Sequence, residues 1–177
     1  ATRMQGIPLT ERVPMNHCIR VASTPEVFLI DVPYPNVITR GTNCYVVKDG
    51  DDCLVVDLGA PSDEGNAYLM AAFDELDIDP SCARYFLTHL HMDHAGLVDR
   101  VVPADAPLYL SRIDFEASAF QRTDLFVRQL EDRIRAEGAS ESYMREAAAQ
   151  GLAHDCWISP ERNLRFVGEG DTIDIGR

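Results

Sequence analysis

The chain lacks several of the features by which sequences are usually sorted. It has no Cys-x-x-Cys pair, no internal repeat and no low-complexity tract. No apolar run approaches the roughly 20 residues of a membrane-spanning helix. The polar start ATRMQGIPLTER does not resemble a secretory leader. These absences argue against a disulfide framework, a repeat solenoid and a helical membrane protein.

Basic charge is also scarce. Sixteen Lys and Arg stand against 29 Asp and Glu, a formal net charge of −13. Nucleic-acid binding depends on clustered Lys and Arg, and anionic membrane surfaces attract the same residues. The balance therefore predicts neither nucleic acid nor membrane as a partner. It leaves room for a small-molecule substrate held by a metal, and it favours solubility. The five cysteines, Cys18, Cys44, Cys53, Cys82 and Cys156, are odd in number. Cys44, Cys53 and Cys82 sit in apolar stretches, which fits reduced, buried thiols in a cytoplasmic protein.

What is present is one domain's worth of patterned chain. A length of 177 residues suits a single domain and is short for two. The sequence suggests an irregular segment over residues 1–26. VFLIDV (27–32), NCYVVK (43–48) and CLVVDLG (53–59) follow as strands, the last two joined by the turn DGDD. Residues 62–77 read as a helix with Ser62 as N-cap and Leu69, Ala72, Phe73 and Leu76 on its buried stripe. ARYFLT is a short strand, AGLVDRVV a short helix stopped at Pro103, and PLYLS (107–111) another strand. Residues 112–151 read as a helical insertion. Ser111 and Asp114 open it as a capping box, and Gly138 and Ser140 separate its last two helices. Phe126, Leu130 and Ile134 share one face. LRFVG, EGD and TIDIG read as strand, turn and strand. The order of elements predicts an α/β or α+β layered domain.

The chemistry concentrates in THLHMDHAG, residues 88–96, which holds three of the five histidines. In an extended strand His89 and His91 point to one side. Asp93 and His94 fall where the chain turns toward a helix. Imidazoles with a carboxylate suit zinc, and also iron or manganese.

THLHMDHAG resembles the H-x-H-x-D-H signature of the metallo-β-lactamase superfamily of metallohydrolases. TNCYVV followed by CLVVDLGAP resembles that family's first hairpin, and the helix leading into ARYFLTHLH is similar to its next unit. The resemblance runs from about residue 27 to the C-terminus and implies the N-terminal part of a four-layer αββα sandwich. It implies two zinc ions in the complete site, with His89 and His91 on the first and Asp93 and His94 on the second. Asp93 would also be catalytic, orienting the nucleophile and taking its proton. Asp57 and Thr88 would brace the histidine loop through hydrogen bonds. A metal-activated hydroxide would attack an ester, thioester or lactone. The helical stretch loosely resembles glyoxalase II-like hydrolases. A mononuclear iron persulfide dioxygenase shares the same signature and is the alternative reaction.

The sequence departs from the family after His94. The family's later histidines and bridging aspartate have no matching motif. His154, in GLAHDCW, and His17 are the remaining histidines that would supply an extra ligand. The chain therefore resembles a truncated domain, expected to be inactive or weak on its own. One apolar sheet face would lack its partner sheet, which predicts a homo-oligomer or a partner chain covering it. A non-catalytic oligomerising or binding fragment is the reading from a different class. Phe115, Phe120, Phe126, Tyr143 and Met144 would either line a substrate pocket or pack against the sandwich.

Overall fold

Alternation of apolar and polar residues builds the sheet, because a strand turns successive side chains to opposite faces. In the computed structural model, which describes residues 17–34, 41–150 and 156–176, seven strands form one sheet. They are β1 (Ile19–Ser23), β2 (Glu26–Pro33), β3 (Gly41–Asp49), β4 (Asp52–Val56), β5 (Arg84–Phe86), β6 (Leu108–Ser111) and β7 (Leu164–Val167). Spatial order equals chain order. β1 to β4 pair antiparallel, and β4 to β7 pair parallel.

Register places most of the buried strand residues on one face, with Leu54 buried on the other. Ile30 faces Cys44, Val46 faces Val55, Val55 faces Tyr85, and Tyr85 faces Leu108. All six are fully buried. The helix α1 (Asp63–Glu75) covers this face with Leu69, Ala72 and Phe73. Its start is fixed by Ser62, whose hydroxyl accepts the Gly65 N–H at 2.9 Å. As the crossover between β4 and β5, α1 brings the carboxyl ends of those two strands side by side.

α2 (Met92–Ala95) and α3 (Val98–Val101) follow β5, and α4 (Arg112–Gln121), α5 (Asp124–Ala136) and α6 (Glu141–Gln150) link β6 to β7. Ser111 and Thr123 cap α4 and α5, and α5 turns Phe126, Leu130 and Ile134 inward as half-buried residues. No helix among the described residues is long and apolar enough to cross a membrane.

The structure corrects the sequence reading in four places. The segment read as irregular through residue 26 contains β1. All five of its residues are exposed, so no burial pattern marks it; main-chain pairing with β2 alone makes it a strand. The strand 53–59 ends at Val56, because Asp57 and Gly59 both take positive φ. The helix expected from residue 95 is two short helices, the first of which begins at Met92 and includes Asp93 and His94. TIDIG is not a strand. It extends back from β7 to the β3–β4 turn, where the Gly176 N–H donates to Asp52 Oδ2 at 2.9 Å.

Asp52 and Arg84 share the second face of the sheet, so the terminal segment crosses that side. The rest of that face carries Leu29, Tyr45, Val56, Phe86 and Tyr109 in one row, half-buried or exposed.

Burial decides what the two faces contribute. Ile30→Ala removes a side chain with no exposure and should destabilise the protein by about 2–5 kcal/mol. Ile113→Ala, 79% exposed, should stay within about 0.5 kcal/mol of wild type in the same urea titration.

Candidate metal centre

The centre forms where the carboxyl ends of β4 and β5 meet, the usual position for a site in a parallel sheet. After Val56 the chain makes a tight turn through Asp57, φ 58°, and Gly59, φ 96°. A side chain at Gly59 would meet Val32 Cγ1 at 2.7 Å, so only glycine fits both the backbone and the space. The turn is stitched to its neighbours. The Asp57 N–H donates to Phe86 O and the Leu58 N–H to His94 O, each at 2.9 Å.

The Asp57 carboxylate is 4% exposed and accepts three hydrogen bonds. Oδ1 takes the Thr88 N–H at 2.9 Å, and Oδ2 takes the Thr88 hydroxyl at 2.8 Å. Oδ2 also meets His94 Nδ1 at 2.9 Å. An ionised carboxylate only accepts, so His94 carries its proton on Nδ1 and its Nε2 lone pair is left for a ligand. The same logic reaches His89. Thr88 spends its hydroxyl hydrogen on Asp57 and therefore accepts from His89 Nδ1, 3.0 Å away. His89 Nε2 is then the bare nitrogen. Burial lowers the pKa of His89, and the neighbouring His94 and His91 lower it further. The neutral ring that results is the form that ligates metals.

Potential ligand atoms approach one another in pairs. His89 Nε2 lies 3.2 Å from His91 Nδ1. Tetrahedral zinc with Zn–N of about 2.0–2.1 Å places two nitrogens about 3.3 Å apart, so the pair fits one metal. His94 Nε2 and Asp93 Oδ2, 3.7 Å apart, form a second, wider pair. The His89 and His94 rings lie 4.0 Å apart between centroids, so the two pairs are adjacent. Among the described residues no three donors converge on one point. What the described residues bring together is therefore two adjacent donor pairs.

Two contacts hold this loop that the sequence did not flag. The Thr42 hydroxyl, buried on β3, donates to the Asp93 carbonyl at 2.7 Å. The Cys156 N–H donates to the carbonyl of Leu90, between the two imidazoles, at 2.6 Å. Thr42 is 51 residues from Asp93, and an ordinary strand threonine carries no local signal of such a role.

Other sequence candidates lie elsewhere. His17 is tied to Glu75 and lies edge-on to the Tyr68 ring, both on α1. His154 lies outside the described residues. Phe115 packs against Trp157 and Phe166, with centroids at 6.0 and 5.4 Å. Phe120 packs edge-on against Phe126 at 5.6 Å. Met144 is buried and Tyr143 exposed.

Comparison with known proteins bears on the family and the fold. Residues 37–113 match the sequence model of the metallo-beta-lactamase superfamily, and the chain belongs to that superfamily. Two curated relatives come from Emericella nidulans (strain FGSC A4). The lactamase-like protein aptB is 32% identical over 132 residues, covering 73% of this chain and 40% of that protein. The atrochrysone carboxyl ACP thioesterase is 31% identical over 136 residues, with the same coverage of 73% and 40%. The chain therefore spans about 40% of the length of these relatives. A solved structure, a beta-lactamase domain protein from Burkholderia ambifaria, superposes with a TM-score of 0.68 at 18% identity. The match covers 96% of this chain and 49% of that one, and it shows the shared fold.

Asp57→Asn tests the bracing. It replaces one acceptor oxygen with an N–H donor facing donors, so zinc affinity should fall about 10–100-fold. Competition titration against a chromogenic chelator measures it, and an unchanged affinity would remove Asp57 from the support of the site.

Proposed function

We propose that the protein is a metal-dependent thioester hydrolase and that this chain contributes one donor pair to each of two zinc ions. The observation carrying this reading is the 3.2 Å approach of His89 Nε2, whose ring proton sits on Nδ1 toward Thr88, to His91 Nδ1. The Emericella nidulans relative named as an ACP thioesterase supports a thioester over a simple ester or a lactone.

Bound metals supply Lewis acidity, which makes water nucleophilic at neutral pH and polarises the carbonyl under attack. The chain's own residues do the rest. His89 and His91 would hold one ion, and Asp93 and His94 the other. Asp57 keeps the Nδ1 proton on His94 directly and on His89 through Thr88. Asp93 Oδ2, half-exposed beside His94 Nε2, is placed to take the proton that the nucleophile loses. Thr42 holds the backbone of Asp93, so this carboxylate acts from a fixed position. The five cysteines form no disulfide, which supports a reducing, cytoplasmic setting.

The test is zinc-dependent thiol release from an S-aryl thioester by the 177-residue chain. With only two donors per ion the rate should be low but above that of the metal-free chain. It should vanish in His91→Ala and in Asp93→Ala. Equal release by the wild type and both variants would overturn the proposal.

The apolar row on the second sheet face supports a further part of the reading, a covering surface supplied by a second copy of the chain. Sedimentation velocity across a hundredfold concentration range should show a dimer forming, and a monomer throughout would refute it.

A further inference from the structure

Two thiols come together at the end of the sheet opposite the histidine loop. Cys53 is the second residue of β4, and Cys82 lies two residues before β5. β4 and β5 are parallel, so these are the amino ends of the two strands whose carboxyl ends carry the centre. The pairing of Leu54 with Arg84 sets Cys53 beside Ala83, the residue that follows Cys82. Strands about 4.8 Å apart and a step of about 3.3 Å put two such Cα atoms about 6 Å apart at strand geometry. Disulfides span about 4.4–6.8 Å between Cα atoms.

Both residues border one space. A cavity of about 190 Å³ is lined by Cys53 and Cys82 together with Lys48, Asp77, Ile78 and Asp79. Register pairs Lys48 with Cys53, and Lys48 Nζ donates to the Leu76 carbonyl at the end of α1. The cavity therefore lies on the face that α1 covers. Cys82 reaches it from the turn 79–82, closed by the Cys82 N–H donating to Asp79 O at 3.0 Å. The Cys82 thiol also donates to Asp79 Oδ2, at 3.7 Å. The two thiols differ in access. Cys53 is 4% exposed, whereas Cys82 is open to solvent. Burial pushes the Cys53 thiol up, Lys48 opposes this, and the neighbouring Cys82 adds a smaller push upward. A buried cysteine alone is a small apolar filler. That role accounts for Cys53, but not for an exposed thiol held at the same cavity.

We propose that Cys82 and Cys53 form a reversible disulfide within the folded chain, with oxidised glutathione as the oxidant. The exposed Cys82, as thiolate, attacks one sulfur of oxidised glutathione. The S–S bond breaks, and one glutathione leaves as thiolate. Cys53 then attacks Cys82 Sγ in the mixed disulfide, and the second glutathione leaves in the same way. Two protein thiols give up two electrons and two protons, and two glutathione thiols receive them. The cross-link ties the amino ends of β4 and β5 together around α1 and the Asp57 turn, the crossover that positions the centre. It needs neither metal nor thioester, so it stands apart from the proposed hydrolysis.

The test is a peptide map of the native, metal-free 177-residue chain after incubation with excess oxidised glutathione, digested without reduction. The wild type should yield one cross-linked species joining the Cys53 and Cys82 peptides, with no glutathione left on Cys82. Dithiothreitol should return both thiols. Cys53→Ser should stop at the mixed disulfide and keep glutathione on Cys82. Cys82→Ser changes an exposed residue and leaves the core intact, so it serves as the folded control, in which Cys53 should stay reduced. A second readout is stability. Closing the loop from Cys53 to Cys82 should raise the urea midpoint of the oxidised wild type by about 1–2 M, and the same treatment should not move Cys82→Ser. Glutathione remaining on Cys82 in the wild type, or no reaction at either cysteine, overturns the pairing. So does a cross-link from Cys82 to any cysteine other than Cys53.

Discussion

The centre depends on one buried carboxylate. Asp57 sits at the end of β4 with a backbone φ of 58°, which non-glycine residues seldom adopt. A buried charge is costly unless its oxygens are satisfied, and those of Asp57 take three hydrogen bonds. Each of the three also constrains the site. The Thr88 N–H fixes the backbone entering the loop. The Thr88 hydroxyl settles which nitrogen of His89 carries the proton. His94 Nδ1 settles the same for the second ring. One side chain thereby sets the direction of donors on both sides of the centre. Glutamate, one methylene longer, would not meet the same three partners from this turn.

The fold exists, locally, to put that carboxylate there. β4 and β5 are adjacent and parallel only because α1 carries the chain back along the sheet. α1 packs there because Leu69, Ala72 and Phe73 match the buried face of β2 and β3. Close approach then needs small residues. Gly59 allows the turn to pass Val32, and Gly96 allows α2 to lie on Pro61, where a side chain would collide with the proline ring and the Met92 carbonyl. Thr42, reaching across from β3, closes the arrangement from a third strand. The loop that bears His89, His91, Asp93 and His94 is thus held at both ends and in the middle, as a site built from side chains of defined direction requires.

Legibility in the sequence followed how local each signal was. β2, β3 and β4 showed as apolar runs around a turn signal, and the one buried face of α1 marked it by periodicity. The histidine loop is a contiguous motif and was visible at once. Asp57 and Thr88 were reached through family resemblance, since nothing in DLGAP alone says which histidines its carboxylate meets. β1 escaped because its side chains are all exposed and its stability comes from main-chain pairing. α2 is four residues long, too short for any period to show, so its start at Met92 was missed. Thr42 and Cys156 act across 51 and 66 residues through ordinary groups, a hydroxyl and a backbone N–H. TIDIG alternates like a strand, yet among the described strands none pairs with it, and pattern without a neighbour leaves only an extended segment.

The segment that follows the helical insertion is joined to the histidine loop at one further point. Leu90, 2% exposed between the two imidazoles, has its carbonyl held by the Cys156 N–H. The next residue, Trp157, begins a continuous stack through Phe115 and Phe166 to Arg112, with Arg122 lying over the tryptophan ring at 5.3 Å. A displacement of α4 would pass along these rings and reach the strand end that carries His89 and His91. Packed aromatic contacts do not stretch, so the stack behaves as a strut and not as a tether. The residues that differ most between relatives of one fold are those in loops and insertions, and here such a segment bears directly on the ligand loop. A substitution in α4 that moved the Phe115 platform would therefore bear on Trp157 and on the Leu90 to Cys156 bond beside it. Packing thereby ties α4 and the segment after α6 to the histidine loop.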